Sequence, residues 1–355
     1  MKIPSSSYSI ISGFVKYKLR TALYIALAWT LIDSVIVLLM PEPITLRYFV
    51  VRETTVFIIG CFIAYLFVFA MRNWFREQPP FINFVFKSII LILAAFLINF
   101  LVHFFVSVLF HGREITETTR LWVNEMFQTK LLLRRITYWF VLLLSTKLFV
   151  EINEKYSPGV FIDIIRGKYM QPKIEERIIM FIDLKDSTPI AEKLGHVENF
   201  KFIRDFISDV SMALIQHNGR IYQYVGDEIV VSWIFTKRNA KKSIKSIIDA
   251  RRNLQNHGTY FRNNYDIIPE FRVGLHVGEV TVGQIGVIKK DLAMSGDTMN
   301  TTARIRNACA ELNQKFLMSK DFMDNSDLKE WQGESMGIID LKGKSDGMEL
   351  FSIKI

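Results

Sequence analysis

Cysteine is almost missing from this chain: 355 residues hold two, Cys61 inside an apolar run and Cys309 far downstream. That rules out a disulfide framework and any paired-cysteine zinc spacing, and reduced thiols fit a cytosolic compartment for the soluble part. A signal-peptide cleavage pattern is missing from Met1–Tyr17 as well, so the first apolar run is expected to be retained. No internal repeat or low-complexity tract occurs. The second half also lacks net charge. Residues 151–355 carry 29 Lys/Arg against 28 Asp/Glu, whereas residues 1–150 carry 15 against 7. The overall charge of +9 therefore sits among hydrophobic runs, where it reads as membrane flanking. No basic surface is left to support nucleic-acid binding.

What is abundant is apolar surface. Half of the residues are hydrophobic and 29 are Phe, and the length suffices for two domains with separate cores. Four apolar runs over residues 1–150 predict an all-α transmembrane domain, with spans at about 21–40, 55–71, 87–110 and 136–150. The fourth is the shortest and carries Lys147. Trp29, Trp74, Trp122 and Trp139 are candidate interfacial rings. An even number of spans puts both termini on one side. With that side inside, inner segments hold eleven Lys/Arg against seven outside, which favours a cytoplasmic C-terminal part.

Asp33 and His103 fall inside the first and third runs. Intramembrane ionisable groups point to a ligand contact or a proton-sensing pair, the alternative being a polar contact between helices. Ser157-Pro158-Gly159 then interrupts the chain, and Val160–Met170 resumes with a helical apolar pattern that Pro172 ends. Residues 151–174 read as a cytoplasmic linker from the membrane half.

Beyond the linker the pattern is α+β. Arg177–Asp183 reads as a buried strand, and a helix from Pro189, capped by Ser187 or Thr188, runs to about His217. Ile221–Tyr224 and Ile229–Ile234 flank Val225-Gly226-Asp227 as a hairpin. Lys241–Arg262 is an amphipathic helix, and Phe271–Val277 with Val280–Gln284 form a second strand pair. Asp297 or Thr298 caps a helix through Ala310, and strands near Gly337–Leu341 and Glu349–Ile353 close the chain.

Asp183 ends the first strand and Asp227 sits in the hairpin turn. If those strands are neighbours, the two carboxylates converge above the sheet. Two such groups suit Mg²⁺ or Mn²⁺ carrying triphosphate oxygens. Leu184–Thr188 can turn backbone N–H groups toward phosphates at a helix start. Asn300 and Arg304, at i and i+4, share one helix face. An amide can hold a ribose there, and a guanidinium can meet charge on an α-phosphate.

These stretches together resemble the catalytic domain of class III nucleotidyl cyclases, over residues 175–355. The matching motifs are Phe181-Ile182-Asp183-Leu184 with Ser187-Thr188, Val225-Gly226-Asp227-Glu228, Gly296-Asp297-Thr298-Met299-Asn300 through Arg304, and Leu341-Lys342-Gly343-Lys344. The resemblance implies a ferredoxin-like α+β domain that works as a homodimer with shared active sites. Asp183 and Asp227 of one protomer would hold two metals, Mg²⁺ or Mn²⁺. Asn300 and Arg304 of the other would position the ribose and stabilise the transition state, and Lys342 would meet the terminal phosphates. The ribose 3′-hydroxyl would attack the α-phosphate, giving a 3′,5′-cyclic nucleotide and pyrophosphate. The whole chain then reads as a multi-pass enzyme of the plasma or inner membrane, with its domain in the cytosol and room for an unknown membrane-domain ligand.

The base-reading positions depart from the family's pattern. Where adenylate cyclases resemble Lys plus Asp or Thr, and guanylate cyclases Glu plus Cys, this chain has Gln223 and Ala293. A Gln amide donates and accepts, so it can pair with adenine or, turned over, with guanine. Ala293 locks neither choice. ATP is the expected substrate, with GTP or relaxed specificity as the alternative. Competing classes are a diguanylate cyclase, which would want a second Gly at Val225 and an aromatic at Ile229, and a receptor or scaffold with a cyclase-like domain. A transporter would need more spans.

Overall fold

The computed structural model describes residues 5–39, 45–69, 80–126, 129–155, 163–164, 166–288, 291–326, 328, 331, 333–341 and 347–353. The chain divides into two compact units, one over Val15–Lys155 and one that contains Tyr156–Ile355.

The first unit is helical: α1 (Ser5–Leu38), α2 (Leu46–Phe69), α3 (Pro80–His111), α4 (Ile115–Met126) and α5 (Thr129–Lys155). Large apolar side chains cover the outside as well as the inside. Leu31, Phe62, Leu93 and Val141 are exposed, while Trp29, Ile98, Val106 and Leu143 pack inward. Helices apolar all round belong in a lipid-like surrounding. Among the described residues three are long and apolar enough to cross a membrane, Lys18–Leu38, Leu46–Leu66 and Ser88–His111, and Ile136–Val150 is a shorter apolar helix.

Two expectations about this unit are corrected. Trp29 and Trp139 are not interfacial rings: both are buried against each other, 6.2 Å apart, and the Trp29 indole N–H donates to Thr146. Trp122 donates to Asn99 instead, and Trp74 lies outside the described residues. The second candidate span starts at Leu46 rather than at residue 55, which puts Arg52 inside a helix instead of a connecting loop. Its charge is tolerated there because Arg52 forks onto Asp33, at 2.9 and 3.0 Å. The Tyr138 hydroxyl adds a third bond to the same carboxylate. Asp33, fully buried, is thus a polar contact between α1, α2 and α5. His103 Nε2 lies 3.5 Å from the Ser107 hydroxyl, one turn along its own helix.

The second unit is a mixed sheet flanked by helices. Its elements are β1 (Lys173–Leu184), α6 (Ser187–Gln216), β2 (Arg220–Val225), β3 (Glu228–Ile234), α7 (Lys237–Asn256), α8 (Gly258–Tyr265) and β4 (Phe271–Ile285). They continue with β5 (Asp291–Ser295), α9 (Asp297–Glu311), β6 (Phe316–Ser319), α10 (Lys320–Asn325), β7 (Gly333–Ile339) and β8 (Met348–Ile353). Eight strands form one sheet, ordered β2-β3-β1-β4-β6-β8-β7, with β5 paired to β4. The β2-β3-β1-β4 part, connected as strand, helix, hairpin, helix, strand, is the ferredoxin-like core. The expected α+β class is therefore what the chain adopts.

β1 is central, so both of its faces are covered and Ile178–Ile182 forms an unbroken apolar run. Ile178, Met180 and Ile182 join Phe202, Phe206, Ile244 and Ile247 of α6 and α7 in the main core. Ile179 and Phe181 face the other way, into a smaller core with Val280, Val282, Met299 and Ala303. Side chains alternate along a strand, so Asp183 belongs to this second face, the one that α9 covers.

Several local expectations also change. Phe271–Val277 and Val280–Gln284 are one continuous strand, not a pair. The expected single helix Lys241–Arg262 is two, α7 and α8, and only α7 has a side-chain cap, from Thr236 to the Asn239 N–H. α6 and α9 begin at Asp186 and Gly296 without side-chain caps, so Ser187, Thr188, Asp297 and Thr298 do not serve as such. Thr298 donates instead to the Glu279 carbonyl at 2.7 Å, fastening α9 to β4. Residues 166–169 are turns rather than helix, with Gly167 at a φ of 72°. Residues 156–162, at the front of the linker, lie outside the described ones. The strand β6 was not expected; its four residues are all buried.

α9 lies unusually close to β4. A Cβ added to Gly274 would sit 2.4 Å from the Arg306 backbone nitrogen, and one on Gly278 2.6 Å from Thr298 Oγ1. Any side chain at Gly274 must push the helix off the sheet. Gly274→Val is therefore expected to lower the stability of this unit by about 1–3 kcal/mol, the usual cost of overpacking. Denaturant unfolding against the parent protein checks this, and an unchanged midpoint would refute the close approach.

Candidate active site

Asp183, Asp227 and Glu228 gather at one end of the sheet. β1 and β3 are antiparallel neighbours, with Ile182 opposite Ile229. That register sets the end of β1, where Asp183 sits, beside the β2–β3 turn. The turn has two residues between the paired Val225 and Glu228, and Gly226 takes a φ of 63° that only glycine adopts without cost. Asp227 follows it. The expectation that strand neighbours bring Asp183 and Asp227 together is met.

The electrostatics register this gathering. Burial lifts the Asp183 carboxyl above its ordinary value of 3.8, with Arg306 and Arg272 opposing and Asp227 adding to the rise. Burial likewise raises Glu228, against the pull of Arg306 and with a push from Asp183 and Asp227. Asp227 keeps one buried carboxylate oxygen, Oδ2, without a hydrogen-bond partner.

Arg306, which the sequence does not single out, is the positive partner of this acidic group. Its Nη1 lies 3.3 Å from Asp183 Oδ2, and its Nη2 bonds Glu228 Oε2. Its distance from these acids along the chain hid the pairing. The one available signal was its phase on the helix, two residues past Arg304 and therefore on the sheet-facing side with Thr302 and Cys309.

Asn300 and Arg304 point elsewhere. The sheet-facing side of α9 holds Thr298, Thr301, Thr302, Ile305, Ala308 and Cys309. Asn300 is exposed and Arg304 half-buried, on the flank of the buried stripe away from Arg306, beside exposed Glu311. At 3.6 residues per turn, Arg304 lies about 200° around the helix from Arg306. Among the described residues neither Asn300 nor Arg304 bonds to the acidic group. The structure therefore assembles the acids in one place and presents the amide and guanidinium in another.

Gln223 is exposed on β2, and Ala293 is half-buried on β5 opposite Gly283. The Met294 N–H donates to the Tyr222 hydroxyl at 3.1 Å, so residues adjacent to both positions are in direct contact. Lys342 lies outside the described residues. At the start of α6, Asp186 has a φ of 57° and caps nothing with its side chain, so first-turn N–H groups stay available to an anion.

Residues 169–354 match the family described as the adenylate and guanylate cyclase catalytic domain. The chain is similar to adenylate cyclase 2 of Rhizobium meliloti (strain 1021), 28% identical over 206 residues that cover 58% of this chain and 57% of that protein. It is similar also to guanylate cyclase D of Mus musculus, 23% identical over 159 residues, 44% of this chain and 14% of that protein. The chain thus spans little more than half the length of the bacterial relative. Among solved structures, a bacterial light-regulated adenylyl cyclase shares the fold, with a TM-score of 0.54 and 19% identity over 63% of this chain and 65% of that one.

The raised carboxyls give a pH prediction. Just above 3.8 the folded state keeps a proton on Asp183 that the unfolded chain has lost. The folded state then binds more protons than the unfolded chain, so this contribution to stability is present at lower pH and is lost as pH rises through the folded value. Without divalent cations, Asp183→Asn should flatten the fall in unfolding midpoint across that window. A variant whose midpoint still falls as steeply would contradict the assignment.

Proposed function

The chain belongs to the adenylate and guanylate cyclase catalytic-domain family, and on that premise we propose that it is a membrane-bound adenylate cyclase. It converts ATP to 3′,5′-cyclic AMP and pyrophosphate in a site shared between two copies of the chain. The observation that carries this reading is the division of labour around α9: acids gathered at the sheet end on the Arg306 flank, with Asn300 and Arg304 on the other flank of the helix. Among the described residues neither Asn300 nor Arg304 bonds the acids of its own copy, and a second copy facing the first would supply them.

The residues present fit a divalent metal. Asp227 offers a buried carboxylate oxygen that nothing else satisfies, and the Asp183 charge is costly to bury without compensation. No set of three or more His, Cys, Asp or Glu side chains forms a closed metal cluster among the described residues, and ions of this kind are usually held by one or two carboxylates plus substrate phosphates. When bound, Mg²⁺ or Mn²⁺, two per site, supplies positive charge to the triphosphate and to the attacking oxygen.

The protein's own groups do the rest. Asp183 and Asp227 fix where the triphosphate sits, and the free N–H groups at the start of α6 donate to its oxygens. Asn300 of the second copy orients the ribose so that its 3′ oxygen lies in line with the α-phosphate, an entropic contribution. Arg304 meets the charge that develops as the 3′ O–P bond forms and the bond to pyrophosphate breaks. Lys342 serves the terminal phosphates. Gln223 reads the base with an amide that Ala293 does not lock, so ATP preference is softer than a Lys/Asp pair would give.

The three candidate spans support a multi-pass anchor in the plasma or inner membrane. A cytosolic nucleotide pool places the catalytic unit on the cytoplasmic side, and the membrane unit is available for a ligand of its own.

Mixing tests the shared site. Asp183→Ala and Arg304→Ala chains should each lose about 10²-fold or more of the rate, the scale set by removing one transition-state donor. Co-expressed, they should recover activity, because each mixed dimer keeps one intact site. Two dead variants that stay dead together, with mixed dimers isolated, would refute the shared arrangement. Gln223→Lys with Ala293→Asp should raise the ATP-over-GTP ratio about tenfold.

A further inference from the structure

We propose that Arg306 is a resident counter-cation of the acidic site: its guanidinium bridges Asp183 and Glu228 while no divalent ion is bound, and must withdraw before one is held. The inference rests on the reading of Asp183 and Asp227 as metal ligands, and it assigns a role to a residue which that reading does not use.

Three features support it. The first is charge. Asp183, Asp227 and Glu228 are close enough to repel one another. Arg306 spans two of them, at 3.3 Å from Asp183 Oδ2 and in a bond to Glu228 Oε2. The second is incomplete satisfaction. Arg306 Nε is buried with no acceptor, so the guanidinium sits there for its charge without a full set of hydrogen bonds. A buried donor left unmet makes that position easier to leave. The third is anchorage. The Arg306 backbone packs directly on Gly274 and Thr298 fastens α9 to β4, so the guanidinium can leave by its side chain while the helix stays docked. The side chain, about a quarter exposed at 23%, can swing toward solvent on its long stem.

The guanidinium and a divalent cation compete for the same carboxylate, since both are positive and Asp183 can neutralise one at close range. The metal-free site is thereby kept from collapsing under its own repulsion, and the threshold metal concentration for occupancy is raised. Asp227, which Arg306 does not touch, stays open as the first point of contact for an incoming ion.

The test is Mn²⁺ binding to the full-length protein in detergent micelles without nucleotide, read from the electron paramagnetic resonance signal of the free ion. The variants are Arg306→Met, Arg306→Lys and Asp183→Ala. Loss of a nearby positive charge should tighten binding by Arg306→Met about tenfold. Its unfolding midpoint without metal should fall below the parent's, and the gain in midpoint on adding Mn²⁺ should be larger. Arg306→Lys keeps a point charge and should lie between the two; it also serves if the Met variant fails to fold. Equal or weaker Mn²⁺ binding in the folded Arg306 variants overturns the proposal while leaving the metal reading intact. If the parent binds no Mn²⁺ better than Asp183→Ala does, and the Arg306 variants gain nothing, the metal reading itself falls and this inference with it.

Discussion

Negative charge brought half out of water at the end of an apolar strand is the constraint on which the catalytic unit turns. Ile178–Ile182 must be covered on both faces, which forces β1 into the middle of the sheet and carries Asp183 to its end. The antiparallel neighbour β3 begins beside it, so Asp227 and Glu228 arrive at the same place. Carboxylates so placed need positive charge from somewhere. In this chain the protein supplies Arg306, and the proposed chemistry supplies metal and substrate.

Delivering Arg306 depends on a packing detail remote from the acids in sequence. Gly274 and Gly278 leave bare backbone where α9 lies, and the helix settles at a distance that no other residues there would allow. Once it is seated, helical phase decides the rest. Thr302, Ile305 and Cys309 face the sheet, Arg306 reaches the acids at one edge of that face, and Asn300 with Arg304 lies on the other flank of the helix.

Much of this was legible in the amino-acid order. The β1 run, the Gly226-Asp227 hairpin and the helix bearing Asn300 and Arg304 declare themselves by composition and period, because each is specified by neighbours in sequence. The features that were missed are long-range. β4 read as two strands because Gly278 looks like a break, whereas its missing Cβ admits Thr298. Arg306 carries no signal of its own in the sequence, because its partners are some eighty and more than a hundred residues away. In the helical unit, Arg52 and Glu53 made the second span look late in starting. Only the fork from Arg52 to a buried Asp33 explains how a helix can carry that charge inside, since an ion pair offsets the cost that either partner alone would impose.

The central claim is that the acids gathered at the end of β1 serve cyclisation of a nucleotide. The most direct measurement is product formation by the full-length protein with Mn²⁺ and each of the four nucleoside triphosphates at equal concentration, beside Asp183→Ala. The account predicts cyclic AMP as the main product and none from the variant. Cyclic GMP as the main product, or cyclic AMP undiminished by Asp183→Ala, would contradict it.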